Sequence, residues 1–336
     1  MYFPKLSAYF HLRIIILSME TKIYQMFILG AGNLEYALSR GLGGIIFFSD
    51  DICSFEQFKS VVLNLKQSAK IPPFLSIDQE GGRVERTINI HERHKSQKYA
   101  FQKGMNFLIN QTINIAYELE SYGINMNFAP CLDVNTNCDN PIIGDRSFSN
   151  NPYEVCAGYD VVSNIYRIFK IISVVKHFPG HGDTSADSHK ELPEICLSLN
   201  EMESTHILPF KHAIEYGADA VMAGHIHCKC FDKEVIPASL SKNCLGYLRN
   251  KLGFNGVIIS DDMLMNGVGG DADSEICIKG IKSGINVFIY RNSHNNVLKV
   301  IEDIIKRTEI DKELCEYIDT SYNKIIKLKK SYGIIT

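Results

Sequence analysis

Eight short apolar runs, rich in β-branched residues, alternate with longer amphipathic stretches along most of this chain. The runs are Met26–Leu29, Gly44–Phe48, Phe74–Asp78, Met126–Leu132, Ile172–His177, Ala220–Gly224, Gly256–Ser260 and Asn286–Tyr290. Such alternation predicts βα units around a parallel sheet, because parallel strands need a crossover helix between them. Eight units in a chain of this length favour a single (β/α)₈ barrel of the TIM type, an α/β fold. An open doubly wound sheet is the alternative.

The stretches between these runs carry apolar residues at helical spacing, which predicts helices. The predicted helices are Ser54–Lys70, Gln111–Tyr122, Tyr153–Phe169, Leu199–Tyr216, Ser274–Ser283 and Lys312–Tyr332. Of the 336 residues, 45% are hydrophobic, which is enough apolar material for one large core. We therefore expect residues 19–336 to form one domain, with residues 1–18 as an N-terminal extension outside it.

Charge and composition exclude several classes of protein. A net charge of −3 gives no electrostatic footprint for nucleic acid or an anionic membrane. The apolar run Leu12–Leu17 is too short to span a bilayer, and no small-residue cleavage site follows it. The ten cysteines include no C-x-x-C pair, which favours free thiols in a reducing cytoplasm. We expect a cytoplasmic monomer that uses no cofactor.

The segment Lys176–His189 is the densest group of titratable residues in the chain. It begins where a strand is predicted to end, and it contains one lysine, three histidines and two aspartates. Pro179, Gly180 and Gly182 interrupt regular structure, so these groups lie in a loop. Because catalytic residues of such barrels follow the carboxyl ends of strands, the segment predicts a site that moves protons or holds a polar ligand.

This segment resembles the signature of the acetylglucosaminidases in glycoside hydrolase family 3. The signature reads Lys-His-(Phe/Ile)-Pro-Gly-(His/Asn)-Gly, four free positions, then Asp-(Ser/Thr)-His, and every fixed position is met in Lys176–His189. Three further segments resemble motifs of the same family: Asp78–Arg86, Ile142–Phe148 and Ser260–Leu264. The resemblance implies a retaining exo-β-N-acetylglucosaminidase that removes terminal N-acetylglucosamine from peptidoglycan-derived muropeptides.

The resemblance also implies a role for each matching residue. Asp261 would be the nucleophile that forms a covalent glycosyl-enzyme. His189 would be the acid/base, oriented by Asp187, since a histidine near its ordinary pKa exchanges protons at neutral pH. The implied sugar-binding residues are Asp78, Arg86, Arg146, Lys176 and His177.

Other polar residues in or near these motifs have either a structural or a substrate-binding interpretation. Strand alternation predicts that Asp261 and Asp262 point in opposite directions. Glu80 and Arg83 are expected to brace their loop, whereas His181 and His225 suit either substrate contact or structure. Residues 87–98 are charged and depart from the family pattern, so contacts beyond the first sugar are not predicted.

Several alternative functions remain open at this point. A β-glucosidase or a phosphorylase of the same family would use a similar site, although the lack of a second domain favours N-acetylglucosamine over glucose. A barrel that binds glycans without cutting them would keep the sugar-binding residues but would not need Asp261 and His189. The histidines also suggest a metal-dependent hydrolase, but no His-Glu-x-x-His motif occurs and we expect no metal.

Overall fold

The strands of this protein close into a parallel barrel, as the sequence predicts. The computed structural model describes residues 18–185, 192–269, 273–292 and 295–336. Its strands are β1 (Phe27–Gly30), β2 (Gly44–Phe47), β3 (Phe74–Ile77), β4 (Met126–Asn127), β5 (Ile172–Phe178), β6 (Glu194–Ile195), β7 (Ala220–Ala223), β8 (His227–Cys228), β9 (Val257–Asp262) and β10 (Val287–Tyr290). The barrel runs β1-β2-β3-β4-β5-β7-β9-β10 and closes by pairing of β10 with β1, whereas β6 and β8 pair separately.

Helices surround the barrel. They are α1 (Met19–Tyr24), α2 (Glu35–Arg40), α3 (Phe55–Ser68), α4 (Gln97–Gln102), α5 (Met105–Tyr122), α6 (Pro152–Ile168), α7 (Leu199–Ser204), α8 (Leu208–Glu215), α9 (Lys242–Gly246), α10 (Ser274–Ser283), α11 (Asn295–Thr308) and α12 (Lys312–Ser331). Short 3₁₀ turns cover Ser49–Asp51, Gly144–Arg146, Ala238–Leu240 and Asn266–Val268, and one π-helical turn covers Tyr247–Lys251. Within the described residues, none of these helices has the length and apolar character needed to cross a bilayer.

Several predicted elements differ in extent from those observed, as where α5 begins at Met105 rather than at Gln111. The predicted helix Leu199–Tyr216 is two helices, because Ser198 caps α7 and Pro209 lies in the first turn of α8. A proline suits a first turn but removes an internal hydrogen bond elsewhere in a helix. The predicted strand Met126–Leu132 forms a ladder over only two residues and one isolated bridge at Cys131, and Pro130 between them cannot donate to a strand ladder.

The core lies inside the barrel and between the barrel and its helices. Strands β1, β2 and β3 are buried at every position, which is why they read as continuous apolar runs rather than as alternating patterns. Side-chain caps begin the helices on the outer layer, as where Ser54 accepts from the Gln57 amide and Asp311 from that of Leu314.

The amino ends of the strands are covered by α12. The Lys329 amine donates to Gln25 Oε1 at 2.8 Å and to the Pro72 carbonyl at 2.9 Å. The Tyr332 hydroxyl donates to Asp219 Oδ2 at 2.7 Å. At the other end of the chain Ser18 caps α1, and residues 1–17 of the predicted extension lie outside the described residues.

Candidate active site

A cavity of about 590 Å³ opens at the carboxyl ends of the strands. All six predicted site residues that the structure describes line it together: Asp78, Arg86, Arg146, Lys176, His177 and Asp261. Two further predicted residues, Asp187 and His189, lie outside the described residues. A concave pocket with convergent polar groups at this end of a barrel is the usual position of an active site.

Lys176 is the centre of a buried charge cluster. Its amine lies 2.6 Å from Asp78 Oδ1 and 2.6 Å from Glu80 Oε1, and its side chain is 2% exposed. Burial alone would lower the pKa of Lys176, but the charges of these two carboxylates raise it above its ordinary value. The lysine therefore keeps its positive charge at neutral pH, and it holds Asp78 in place in the cavity wall.

Glu80 braces this cluster from behind the cavity. Arg146 donates to it through two atoms, Nε to Oε2 at 2.9 Å and Nη2 to Oε1 at 2.8 Å. Burial would raise the pKa of Glu80, but Arg146 and Lys176 hold it well below its usual range. The structural role predicted for Glu80 agrees with this geometry. Arg83 binds the Pro141 and Ile143 carbonyls, each at 3.1 Å, and so braces the same loops.

Arg86 lies over an aromatic ring, and its guanidinium can still donate a hydrogen bond to a ligand. Its Cζ atom is 5.2 Å from the Phe48 ring centroid, and Nη2 is 3.5 Å from Asp78 Oδ2. Its buried Nε has no hydrogen-bond partner among the described residues. Gln79 fixes the backbone here by accepting from the Arg86 amide at 2.9 Å. Arg86 and Asp78 therefore offer a donor and an acceptor to a polar ligand.

Irregular strand pairing turns consecutive side chains into the cavity. Strand β5 places Lys176 and His177 opposite one residue of β7, and β9 places Ser260 and Asp261 opposite one residue of β10. An extra residue of this kind, as in a β-bulge, breaks the alternation of side chains and re-aims them. Asp261 and Asp262 both line the cavity, whereas the sequence argument expected only one of them to face it.

Asp261 is an ionised carboxylate in the cavity wall. Burial would raise its pKa, but the neighbouring His177 and His225 and the Asp262 amide lower it below its ordinary value. The Asp262 amide donates to Asp261 Oδ1 at 2.8 Å, and no described residue forms a hydrogen bond with Oδ2. A carboxylate that stays deprotonated at neutral pH is what nucleophilic attack on a sugar requires.

Asp262 differs from its neighbour in its electrostatics. Burial raises the pKa of Asp262 to about 6. Its Oδ1 accepts from the amides of Leu264 and Arg291, both at 3.2 Å, and its Oδ2 lies 3.3 Å from Arg291 Nε. Because both carboxylate oxygens already have partners, Asp262 suits a supporting role at the cavity rim.

Asp133 belongs to this site, although the sequence analysis did not single it out. It is fully buried and accepts from His177 Nδ1 at 2.7 Å, from the His181 amide at 2.6 Å and from the Cys131 thiol at 3.1 Å. Burial would raise its pKa, but the nearby His177 holds it well below its usual range. Asp133 follows a predicted strand, as Asp261 does, and Asp78 ends one, so the position at a strand end is the signal that could have found Asp133.

Cys131, Asp133 and His177 also bring three possible metal-ligand atoms within 4.8 Å of one another. Burial and the Asp133 charge raise the pKa of the Cys131 thiol well above its usual value, whereas a metal would need the thiolate. The same atoms already satisfy one another by hydrogen bonds. These three residues therefore fit a buried hydrogen-bond network better than a metal centre.

His181 and His225, whose roles the sequence leaves open, have different positions in the structure. His225 is fully buried, with Nδ1 2.7 Å from Ser239 Oγ and Nε2 3.1 Å from the Asp262 carbonyl, and so supports the strand end that carries Asp261. His181 lines the cavity, and burial lowers its pKa to about 4, so it is neutral at physiological pH.

Comparison with known proteins gives one consistent family. The glycosyl hydrolase family 3 N-terminal domain matches residues 18–328. A beta-hexosaminidase from Tolumonas auensis is 35% identical over 235 residues, which cover 67% of this chain and 68% of that protein. Beta-hexosaminidase A from Pseudoalteromonas piscicida is 30% identical over 333 residues, and the match covers 88% of this chain but only 55% of that longer protein.

A solved structure has the same architecture. The glycoside hydrolase family 3 beta-N-acetylglucosaminidase from Paenibacillus sp. superposes with a TM-score of 0.88 at 29% identity, covering 95% of this chain and 63% of that one. The chain thus spans less than two thirds of that protein and of the Pseudoalteromonas relative.

Proposed function

We propose that this chain, which belongs to glycosyl hydrolase family 3, is a retaining exo-β-N-acetylglucosaminidase acting on peptidoglycan-derived muropeptides in the cytoplasm. The observation that carries the proposal is the ionised carboxylate of Asp261, which shares one cavity with the Lys176 cluster. The hexosaminidase names of the relatives support N-acetylglucosamine as the sugar.

In the first chemical step Asp261 attacks the anomeric carbon, and the bond from that carbon to the leaving oxygen breaks. His189 gives its proton to this oxygen, so that the departing sugar leaves as an alcohol. In the second step His189 takes a proton from water, which displaces Asp261 and restores the original configuration. Asp187 orients the His189 ring, and this part of the proposal rests on the sequence motif.

Sugar binding uses the groups that the charge cluster holds in place. Lys176, Arg86 and Arg146 donate hydrogen bonds to sugar oxygens, and Asp78 accepts from hydroxyls. Glu80 keeps two of these cations at fixed positions without reaching the cavity itself. Positioning of this kind lowers the reorganisation needed as charge develops in the transition state.

An assay with 4-nitrophenyl glycosides tests the reaction and its nucleophile. The wild type should hydrolyse the N-acetyl-β-glucosaminide far faster than the β-glucoside, with the same product in phosphate buffer and without phosphate. Asp261→Asn should lower kcat about 10⁴-fold, whereas the matched Asp262→Asn should lower it about tenfold or less. A fluorinated mechanism-based glycoside should label Asp261 covalently. Preference for the glucoside, a sugar phosphate product, or a label on Asp262 would contradict the proposal.

The acid/base role of His189 has its own test. A sugar leaving group needs a proton as the bond breaks, whereas nitrophenolate does not. His189→Ala should therefore slow muropeptide or chitobiose hydrolysis far more than release of an activated phenol, and azide should partly restore turnover. Asp187→Ala should give a milder form of the same pattern. An equal loss on both substrates with no azide effect would make His189 a binding residue.

A further inference from the structure

We propose that Asp133 is a positioning residue that sets which nitrogen of His177 carries the proton, so that Nε2 faces the cavity as a hydrogen-bond acceptor. The inference rests on the proposed function, because it assumes that His177 contacts the sugar. It adds a residue that none of the family motifs in this sequence includes. It also gives the direction of the hydrogen bond between His177 and the sugar: the histidine accepts from a hydroxyl rather than donating to it.

The first support is the set of donors around Asp133. Its Oδ2 lies 2.7 Å from His177 Nδ1, and an ionised carboxylate has no proton to give. Nδ1 must therefore be the donor. The amides of His177 and His181 and the Cys131 thiol donate to the same carboxylate. With all of these contacts formed in a fully buried position, the Asp133 side chain has no alternative orientation.

The second support comes from the other side of the imidazole ring. His177 Nε2 lies 3.4 Å from Arg146 Nη2, and a guanidinium has only donors. Arg146 is itself fixed by its two bonds to Glu80. Both neighbours of the ring thus require the proton on Nδ1 and the lone pair on Nε2. At 3.4 Å the Arg146 bond is long, so the lone pair remains open to a shorter bond from a hydroxyl.

The third support is the position of this network. His177 lines the cavity on the irregular part of β5, next to Lys176, and His181 lines the same cavity in the loop that follows β5. Asp133 binds the backbone amides at both ends of this short segment, from His177 to His181. One carboxylate therefore fixes the ring orientation, the tautomer and the start of the loop.

Asp133→Asn is the informative substitution, because it keeps the shape and removes the charge. Its amide group would present N–H to His177 Nδ1, which would have to become an acceptor. The proton would move to Nε2, where it would face the donor atoms of Arg146. An aspartate-to-asparagine change beside a catalytic histidine is known to select the wrong tautomer in this way.

We expect Asp133→Asn to lower kcat/KM for the nitrophenyl N-acetylglucosaminide about 100-fold, the scale of one lost hydrogen bond to a charged group. The matched control is Cys131→Ser, which keeps a donor to the same carboxylate and should stay within about threefold of the wild type. Full activity of Asp133→Asn would overturn the proposal. A wild type that hydrolyses no glycoside would instead refute the proposed function and leave the tautomer to be decided separately.

The tautomer can be read directly in the folded wild-type protein, which matters if Asp133→Asn does not fold. ¹⁵N-histidine labelling gives ring signals for all 11 histidines, and His177→Gln identifies the signals of His177 by their loss. We expect a protonated Nδ1 and a bare Nε2 in the wild type, and the reverse in Asp133→Asn. A proton on Nε2 in the wild type would refute the proposal. Loss of activity with a chelator and its return with zinc would also refute it, because Cys131, Asp133 and His177 would then hold a metal.

Discussion

The two ends of the barrel each bury a lysine almost completely, and the two amines have opposite surroundings. At the carboxyl ends of the strands, Lys176 lies 2.6 Å from each of two carboxylates. At the amino ends, Lys329 donates only to the neutral oxygens of Gln25 and Pro72 and lies 4.8 Å from the Phe74 ring centroid. Within the described residues, no carboxylate forms an ion pair with Lys329.

The pKa values of these lysines shift in opposite directions although both side chains are buried. For Lys176, the carboxylates outweigh burial and raise the pKa. For Lys329, burial has no opposing charge and places the pKa well below its ordinary value. Burial therefore does not decide whether an amine keeps its charge, and the nearest counter-charge does. The end of the barrel that carries the proposed active site keeps its charges, and the opposite end can lose one.

The largest expected difference between the two lysines is in activity. Lys176→Met should lower kcat/KM for the nitrophenyl N-acetylglucosaminide about 10³-fold, because it removes a sugar donor and leaves two carboxylates facing each other. Lys329→Met, the same substitution at the other end, should change it less than about twofold. Steady-state kinetics measures kcat/KM of both variants, and similar losses would contradict the different roles given to the two lysines.

Stability should separate the two variants by a smaller margin. Lys176→Met should lower the free energy of unfolding by about 3 kcal/mol, because Asp78 and Glu80 lose the cation that lies between them. Lys329→Met should change that free energy by less than about 1 kcal/mol, since the desolvation cost of the amine disappears together with its two hydrogen bonds. Urea titration followed by circular dichroism measures both. A large loss of stability in Lys329→Met, without one in Lys176→Met, would contradict this expectation.

The smallest effect should be a difference in pH dependence. Because the pKa of Lys329 is lower in the folded than in the unfolded state, the unfolded state binds more protons between these two values. The free energy of unfolding should therefore rise as the pH rises toward the ordinary lysine pKa of about 10.4. Lys176, whose pKa is raised, keeps its proton over this range and contributes no slope. Urea titrations at several pH values should show a flatter profile for Lys329→Met than for the wild type.

Sequence patterns predicted the features that depend on local order. The eight barrel strands were predicted because buried parallel strands are continuous apolar runs, and six residues that line one cavity were singled out because each belongs to a motif. The presence of both Asp261 and Asp262 in the cavity wall was not predicted, because an extra residue in β9 interrupts the alternation on which the sequence argument depended. Asp133 and Lys329 were missed for another reason. Their partners are distant in sequence, and no local pattern states that His177 will meet Asp133 or that the oxygens of Gln25 and Pro72 will meet Lys329.

Closure of the barrel has a consequence for synthesis on the ribosome. Strand β1 pairs with β2 soon after both emerge, but its other edge pairs with β10. The Lys329–Gln25 contact likewise joins residues 304 positions apart. Until β10 is translated, the nascent chain carries an unpaired apolar edge of the kind that adds to strands of other chains. A polypeptide released before that point should aggregate unless a chaperone shields β1, whatever the state of its remaining helices.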